Sequence, residues 1–96
     1  MLTSTLKINM ADAARIIKRL SNHWRHKLDI EFNNEQTIIH FSKDVHAILI
    51  ASTTQLTSYL HTNTIEQLDQ YENVVLDHLK RMANQEFEEK WLRNKE

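Results

Sequence analysis

Two histidines three residues apart have the clearest capacity for chemistry in this chain. His23 and His26 flank Trp24 in a segment whose apolar spacing favours a helix. Side chains three apart are neighbours on a helix, so the two imidazoles can bind one transition-metal ion. A stable zinc site usually needs a third or fourth protein ligand, and His78 on a second predicted helix is the best candidate. The sequence therefore predicts a metal site at His23, His26 and His78, with iron or zinc as the candidate ion.

The same histidines also have a purely structural interpretation. Partly exposed imidazoles near the end of a helix can hydrogen-bond locally, and a positive group at that end interacts favourably with the helix dipole. At the level of the sequence both interpretations stay open.

Five basic residues in the same part of the chain form a second candidate site. We call them the basic stripe: Arg15, Lys18, Arg19, Arg25 and Lys27. Such a stripe can receive an anionic ligand or a nucleic-acid backbone, or it can be the solvated face of a helix. The net charge of −1 and the lack of a recognised aromatic stacking motif argue against nucleic acid.

The residues predicted to bind an anionic ligand include one aromatic ring. They are Arg15, Arg19, Trp24, Arg25 and Lys27, and His23 and His26 would add hydrogen-bond donors. Core packing is nevertheless the favoured role of both Trp24 and Trp91, because large amphipathic rings anchor cores. The alternatives for the two rings are the wall of a ligand pocket and a dimer contact.

The composition excludes several kinds of active site. The chain has no glycine, proline or cysteine, so it has neither a thiolate nucleophile nor a glycine-rich phosphate loop. No nucleophile motif is present, and no carboxylate pair stands in an apolar setting that would suit acid–base catalysis. We therefore expect a binding protein and no enzyme. Without glycine, left-handed turn positions are expected to be taken by Asn or Asp.

The length of 96 residues fits one domain, residues 1–96. The longest apolar run, Ala47 to Ala51, is too short to span a membrane. The N-terminus lacks the basic start and apolar middle of a signal peptide. These features predict a cytoplasmic protein with no membrane partner.

The elements that must position the candidate residues follow from the apolar spacing. One helix is predicted after an N-cap at Asn9, and a longer one after an N-cap at Asn63 with Glu66 as its capping-box partner. The predicted strands are Thr3–Ile8, Leu28–Phe32, Gln36–Phe41, His46–Ala51, Gln55–His61 and Phe87–Trp91. The predicted fold is α+β: a mainly antiparallel sheet of about six strands with two helices on one face, in the order β-α-β-β-β-β-α-β.

Several short segments together resemble a known family. They are Thr3–Thr5, Ala11–Arg15, His23–Lys27, Glu31–Phe32, Val74–Leu79 and Trp91. In these segments the chain is similar to the bacterial family known as domain of unknown function 2218, over roughly residues 3 to 91. The most specific part is the His-x-x-His-Lys segment followed by a strand, with a later His-Leu pair on the second helix.

The resemblance implies a small bacterial protein whose domain is sometimes attached to, or found beside, siderophore-interacting proteins. That association implies a link to iron handling, with a siderophore-interacting protein as a possible partner, and it draws attention to His23, His26, Lys27 and His78. The chain departs from the family pattern at Ser42–His46, where a glycine-containing turn and often a cysteine are expected. Any role of that cysteine is either lost here or passed to His46.

The leading hypothesis from the sequence is a small accessory or binding protein, linked to iron or siderophore metabolism through its histidines and basic stripe. The alternative is an interaction module that acts as a homodimer without a small-molecule ligand, using an exposed sheet edge and Trp91.

Overall fold

The computed structural model describes residues 1–94, whose regular elements are six strands and two helices. In chain order they are β1 Leu2–Asn9, α1 Ala13–Trp24, β2 Asp29–Asn33, β3 Gln36–His40, β4 His46–Ala51, β5 Gln55–Thr62, α2 Ile65–Ala83 and β6 Leu92–Asn94. The predicted α+β fold and its β-α-β-β-β-β-α-β order are confirmed.

All six strands join one antiparallel sheet, in the spatial order β2-β3-β4-β5-β1-β6. The strands β2 to β5 follow one another as hairpins. The first strand, β1, then inserts between β5 and β6, with Leu2 opposite Thr62 and Thr3 opposite Asn94. The two edges of the sheet are therefore β2 and the short β6.

The core lies between the two helices and one face of the sheet. Every second residue of β3, β4 and β5 is buried, as the predicted alternation requires. The apolar stripe predicted for the first helix is buried as well: Ala13, Ile16, Ile17, Leu20 and Trp24. Neither helix of residues 1–94 covers the opposite sheet face, and its side chains in these strands are half-buried.

The helix starts differ from the prediction. Asn9 is the last residue of β1, where it pairs with Gln55, so α1 begins only at Ala13. The second helix is capped by Thr64, not Asn63: the Thr64 hydroxyl accepts a 3.1 Å hydrogen bond from the Gln67 N–H. The first helix begins later than predicted because Asn9 pairs with Gln55 in the sheet. The second begins after Thr64, whose extended backbone lets its side chain cap the helix.

Two asparagines take the left-handed turn positions, as expected for a chain without glycine. Asn34 has φ 58° in the β2–β3 hairpin, and Asn84 has φ 54° just after α2. The Asn84 N–H donates to the Lys80 carbonyl and so closes the end of the helix. Asparagine tolerates this conformation better than other residues with a Cβ.

The last strand lies later in the chain than predicted. Residues 86–91 are irregular, and the strand is Leu92–Asn94. Phe87 is buried and Trp91 packs half-buried against the core, so these rings anchor a connecting segment instead of alternating along a strand. Among residues 1–94, neither helix is long and apolar enough to cross a membrane.

Candidate functional site

The segment that follows α1 is a tight turn held by backbone hydrogen bonds. The Arg25 N–H donates to the Ser21 carbonyl, and the Lys27 and Leu28 N–H groups both donate to Trp24, each at 2.9 Å. The turn leads directly into β2. The local backbone is therefore fixed where the basic residues leave the helix.

His23 and His78 are brought together by the packing of α1 on α2. Their ring centroids are 5.5 Å apart. Nδ1 of His78 lies 2.7 Å from the Val74 carbonyl oxygen. A carbonyl can only accept, so Nδ1–H is the donor of this hydrogen bond.

His26, the third predicted ligand, has an exposed side chain in the turn. It makes no ring contact with another aromatic residue of the described chain. Within residues 1–94, no group of three or more His, Asp or Glu side chains is arranged to hold a metal ion. The structure thus joins two of the three predicted metal ligands and leaves His26 apart from them.

Trp24 is 6% exposed and belongs to the core. Its ring meets Phe41 edge-on, with centroids 5.1 Å apart, and lies 4.6 Å from His78. Phe41 in turn lies 4.9 Å from Tyr71. The ring joins α1, α2 and the end of β3, which is a packing role, while a ligand can reach only a small part of it.

All five residues of the basic stripe are exposed. Arg15 pairs with Asp12, and this hydrogen bond holds the pKa of the Asp12 carboxyl below its ordinary value. The remaining four form no ion pair with any carboxylate in the described part of the chain. Most of the positive charge of the stripe is therefore available to a ligand.

A shallow groove lies beside the turn. Its lining comprises residues 27–31 and 40–43. Lys27 and Lys43 contribute positive charge, and Asp29 and Glu31 contribute negative charge. A second depression, whose lining includes Arg25 and Phe32, shares residues 28–30 with this groove. Lys27 thus borders one concave surface of mixed charge, and Arg25 borders the other.

Sequence reasoning missed a second group of histidines on the open sheet face. We call His40, His46 and His61 the histidine row. Each lies on a different strand, and His46 pairs in register with both His40 and His61. Ring centroids are 5.9 Å apart for His40 and His46, and 4.7 Å apart for His46 and His61. Only the strand register reveals the row, because the three residues lie on three different strands and share no helical or strand spacing.

The outer members of the histidine row have polar partners. His61 Nδ1 lies 3.0 Å from the Thr3 hydroxyl, and His40 Nε2 lies 3.1 Å from a Glu31 carboxylate oxygen. The pKa of His46, between them, is lowered by burial and then by the proximity of His61 and His40. The central imidazole is therefore held in its neutral form at pH 7.

The lowered pKa of His46 predicts a pH dependence of stability. Below pH 6.5 the unfolded chain binds a proton at His46 more readily than the folded chain does. The free energy of unfolding should therefore fall as the pH drops through 6.5, and His46→Gln should lose less over the same interval. Urea unfolding at pH 7.5, 6.5 and 5.5 measures this difference.

The matched control for that experiment is His26→Gln, which removes an exposed imidazole outside the histidine row. This variant should follow the wild-type pH dependence. Parallel curves for the wild type and His46→Gln would contradict the predicted role of His46.

The chain is similar to a bacterial protein family and to a protein of known structure. A family model described as "Uncharacterized protein conserved in bacteria (DUF2218)" matches residues 5–91. The fold is also similar to the NMR structure of PA4090 from Pseudomonas aeruginosa, with a TM-score of 0.82 and 36% sequence identity, covering 96% of each chain. No curated protein matches the sequence significantly.

Proposed function

The chain belongs to the bacterial DUF2218 family of uncharacterised conserved proteins, and we propose that it is an accessory protein. In this proposal it binds an anionic ligand on the basic stripe. The observation that carries this proposal is the set of four exposed cations without a carboxylate partner in residues 1–94, which run from Lys18 and Arg19 on α1 to Arg25 and Lys27 in the turn after it. The iron link implied by the family resemblance makes anionic ferric chelates the ligand class to test.

The charge of the stripe supports binding of an anion. Lys18, Arg19, Arg25 and Lys27 have no carboxylate partner within residues 1–94. A ligand therefore need not displace an existing ion pair. Charge-assisted hydrogen bonds from Arg and Lys to carboxylates are among the strongest that a surface can form.

The backbone around the turn supports the same proposal. Arg25 and Lys27 project from a turn whose N–H groups are already hydrogen-bonded. A preorganised segment loses less conformational entropy on binding than a mobile loop does. Because Asp29 and Glu31 line the neighbouring groove, the anion is expected on the α1 side of Lys27, away from these carboxylates.

Charge reversal at the turn tests the proposal. The double variant Arg25→Glu, Lys27→Glu should weaken binding of ferric citrate at least about 100-fold, because each lost charge-assisted hydrogen bond is worth about tenfold or more. Isothermal titration calorimetry on the full chain, with ferric citrate and with citrate alone, provides the affinities.

The matched control is Arg81→Glu, Lys90→Glu, which makes the same change in net charge at two other exposed cations. Equal losses in the two double variants would show non-specific attraction and refute a defined site. Equal affinities of the wild type for ferric citrate and for citrate would support an anion site but contradict a preference for iron.

Direct metal binding by His23 and His78 is a second candidate. It is supported by the contact between the two rings and by the backbone hydrogen bond from Nδ1 of His78, which orients that ring. His26 stays a predicted ligand only if its exposed side chain moves towards the other two.

Homodimerisation through the sheet edges likewise stays a prediction, supported by exposed Phe32 on β2 and exposed Leu92 on β6.

A further inference from the structure

The sheet face that neither helix covers carries a row of mainly apolar side chains. Ile38, Ile48 and Tyr59 lie opposite one another on β3, β4 and β5, and the row continues through Thr5 on β1 to Leu92 on β6. We call these five residues the apolar row. The members on β3, β4 and β5 are half-buried, and Leu92 is 73% exposed. We propose that a second copy of the chain packs its own apolar row on this one, so that the two sheets form a face-to-face homodimer.

The strand register establishes which face the row occupies. Ile38 is followed by buried Ile39, and Ile48 is followed by buried Leu49. Successive side chains of a strand point to opposite faces of the sheet, so the row projects away from the helices and the core. Apolar side chains that continue across several strands of an uncovered face are typical of a protein-binding surface.

The charges on this face favour a second copy as the partner. Asp29 and Glu31 project from it on β2, at one edge of the sheet. Lys7 projects from it on β1, near the other edge, where Lys90 and Glu89 border a depression on the same face. The Glu89 carboxylate already accepts a hydrogen bond from a backbone N–H of β1. One end of the face is therefore acidic and the other is mainly basic, so a second copy in the reversed order complements it.

A two-fold axis parallel to the strands produces this reversed order. The sheet order is β2-β3-β4-β5-β1-β6, so the axis places β2 of each copy over β6 of the other, β3 over β1, and β4 over β5. Ile48 then meets Tyr59 of the second copy at the centre, and Ile38 meets the smaller Thr5. The carboxylates of β2 lie towards Lys7 of the second copy.

The area of the face is sufficient for a specific dimer. Six strands of about six residues each, at spacings of about 4.8 and 3.4 Å, give a flat area of roughly 600 Å². Two copies then bury about 1,200 Å² in total, which exceeds the roughly 1,000 Å² expected of a specific interface. Two aligned sheets pack about 10 Å apart, and the side chains of the two apolar rows fill this space. The contact uses the sheet face and leaves both sheet edges unpaired.

Charge exchange tests this arrangement. Glu31→Lys and Lys7→Glu should each raise the dimer dissociation constant at least about tenfold, because each change occurs twice in a two-fold interface and brings like charges together. The double variant Glu31→Lys, Lys7→Glu should return to within about threefold of the wild type. Within one chain three strands separate the two residues, a distance of about 19 Å, so this recovery can arise only between copies.

Sedimentation equilibrium of the full chain from about 1 μM to 1 mM provides the dissociation constants. The matched control for Glu31→Lys is Asp77→Lys, which makes the same change in net charge at an exposed position on α2 and should leave the dimer unchanged. Ile48→Glu, at the centre of the face, should abolish the dimer. Phe32→Glu changes an exposed residue of β2 outside the apolar row and should not. Circular dichroism establishes that each variant is folded.

The homodimer and the anion site can fail separately, because the basic stripe belongs to α1 and the turn after it. Folded Ile48→Glu should therefore bind ferric citrate as the wild type does. Three results would overturn the inference: a wild type that is monomeric at about 1 mM, an unchanged dimer in folded Ile48→Glu, and a double charge variant no tighter than the single ones. Loss of the dimer in Phe32→Glu alone would also overturn it and place the contact at the sheet edge.

Discussion

Replacing Trp24 by alanine is expected to lower the free energy of unfolding by about 3–5 kcal/mol, the usual cost of removing a large buried aromatic side chain. The ring is 6% exposed and contacts Phe41 and His78. Its loss opens a cavity where α1, α2 and the end of β3 meet. Because small domains have total stabilities of about 5–15 kcal/mol, this one substitution removes a large share.

Chemical denaturation followed by circular dichroism measures the effect. The matched control is Phe32→Ala, since Phe32 is 72% exposed and its removal leaves no buried cavity. Trp24→Phe keeps part of the ring volume and should fall between the two. A loss below about 1 kcal/mol for Trp24→Ala would contradict the packing role and favour the ligand-wall interpretation.

Replacing Glu72 by alanine is expected to cost about 2 kcal/mol, because several hydrogen bonds end on this carboxylate. Its side chain is 12% exposed. It accepts a 2.6 Å hydrogen bond from the Ser4 hydroxyl and bonds of 2.9 and 2.8 Å from the Arg93 guanidinium. Hydrogen bonds to Glu72 and Asp69 raise the pKa of Arg93 above its ordinary value, so this cation stays charged throughout the working pH range.

The physical reason for the size of the effect is burial. Ser4 is 0% exposed, so its hydroxyl would lose its acceptor in a place that water does not reach. The same substitution removes the bidentate contact that ties β6 to α2. Adding Ser4→Ala to Glu72→Ala should therefore cost little more, since the orphaned hydroxyl disappears.

The matched control for Glu72 is Glu86→Ala. Glu86 pairs with Lys80 but has a side chain that is 87% exposed, and surface pairs of this kind contribute about 0–1 kcal/mol. Urea unfolding of the two single variants and of the Ser4–Glu72 double variant completes the comparison. Similar losses for Glu72→Ala and Glu86→Ala would show that Glu72 acts only as a surface charge.

Local sequence patterns predicted those elements whose conformation depends mainly on residues that are neighbours in the chain. The β2–β3 hairpin formed around Asn34 because asparagine accepts φ 58°, and β4 kept its predicted bounds of His46–Ala51. The buried stripe of α1 also followed from its spacing. In each case the sequence pattern lies within a single turn, strand or helix.

Non-local pairing explains the elements that were misplaced. Asn9 resembles an N-cap, but its pairing with Gln55 keeps it in β1. The alternation of Phe87 and Trp91 resembles a strand, but the strand is formed by Leu92–Asn94, where Arg93 reaches α2. Neither partner can be identified from the neighbouring sequence.

The same distinction applies to the candidate sites. The exposed basic stripe was recognisable because its members lie on one helix and the following turn. The histidine row was not, because β3, β4 and β5 must first be aligned before His40, His46 and His61 become neighbours. Sequence spacing gave equal weight to His26, whose side chain lies apart from His23 and His78.

The position of β1 in the sheet has a consequence for how the chain folds. Its partners are β5 and β6. Leu2 can therefore pair only after Thr62 has been synthesised, and Thr3 only after His61 and Asn94. During synthesis the β2–β5 meander can assemble while β1 is still an unpaired, β-prone segment. Contacts of such long sequence separation slow folding and lengthen the exposure of a free strand to other nascent chains. Of the six described strands, the one that is synthesised first is thus among the last to find its partners.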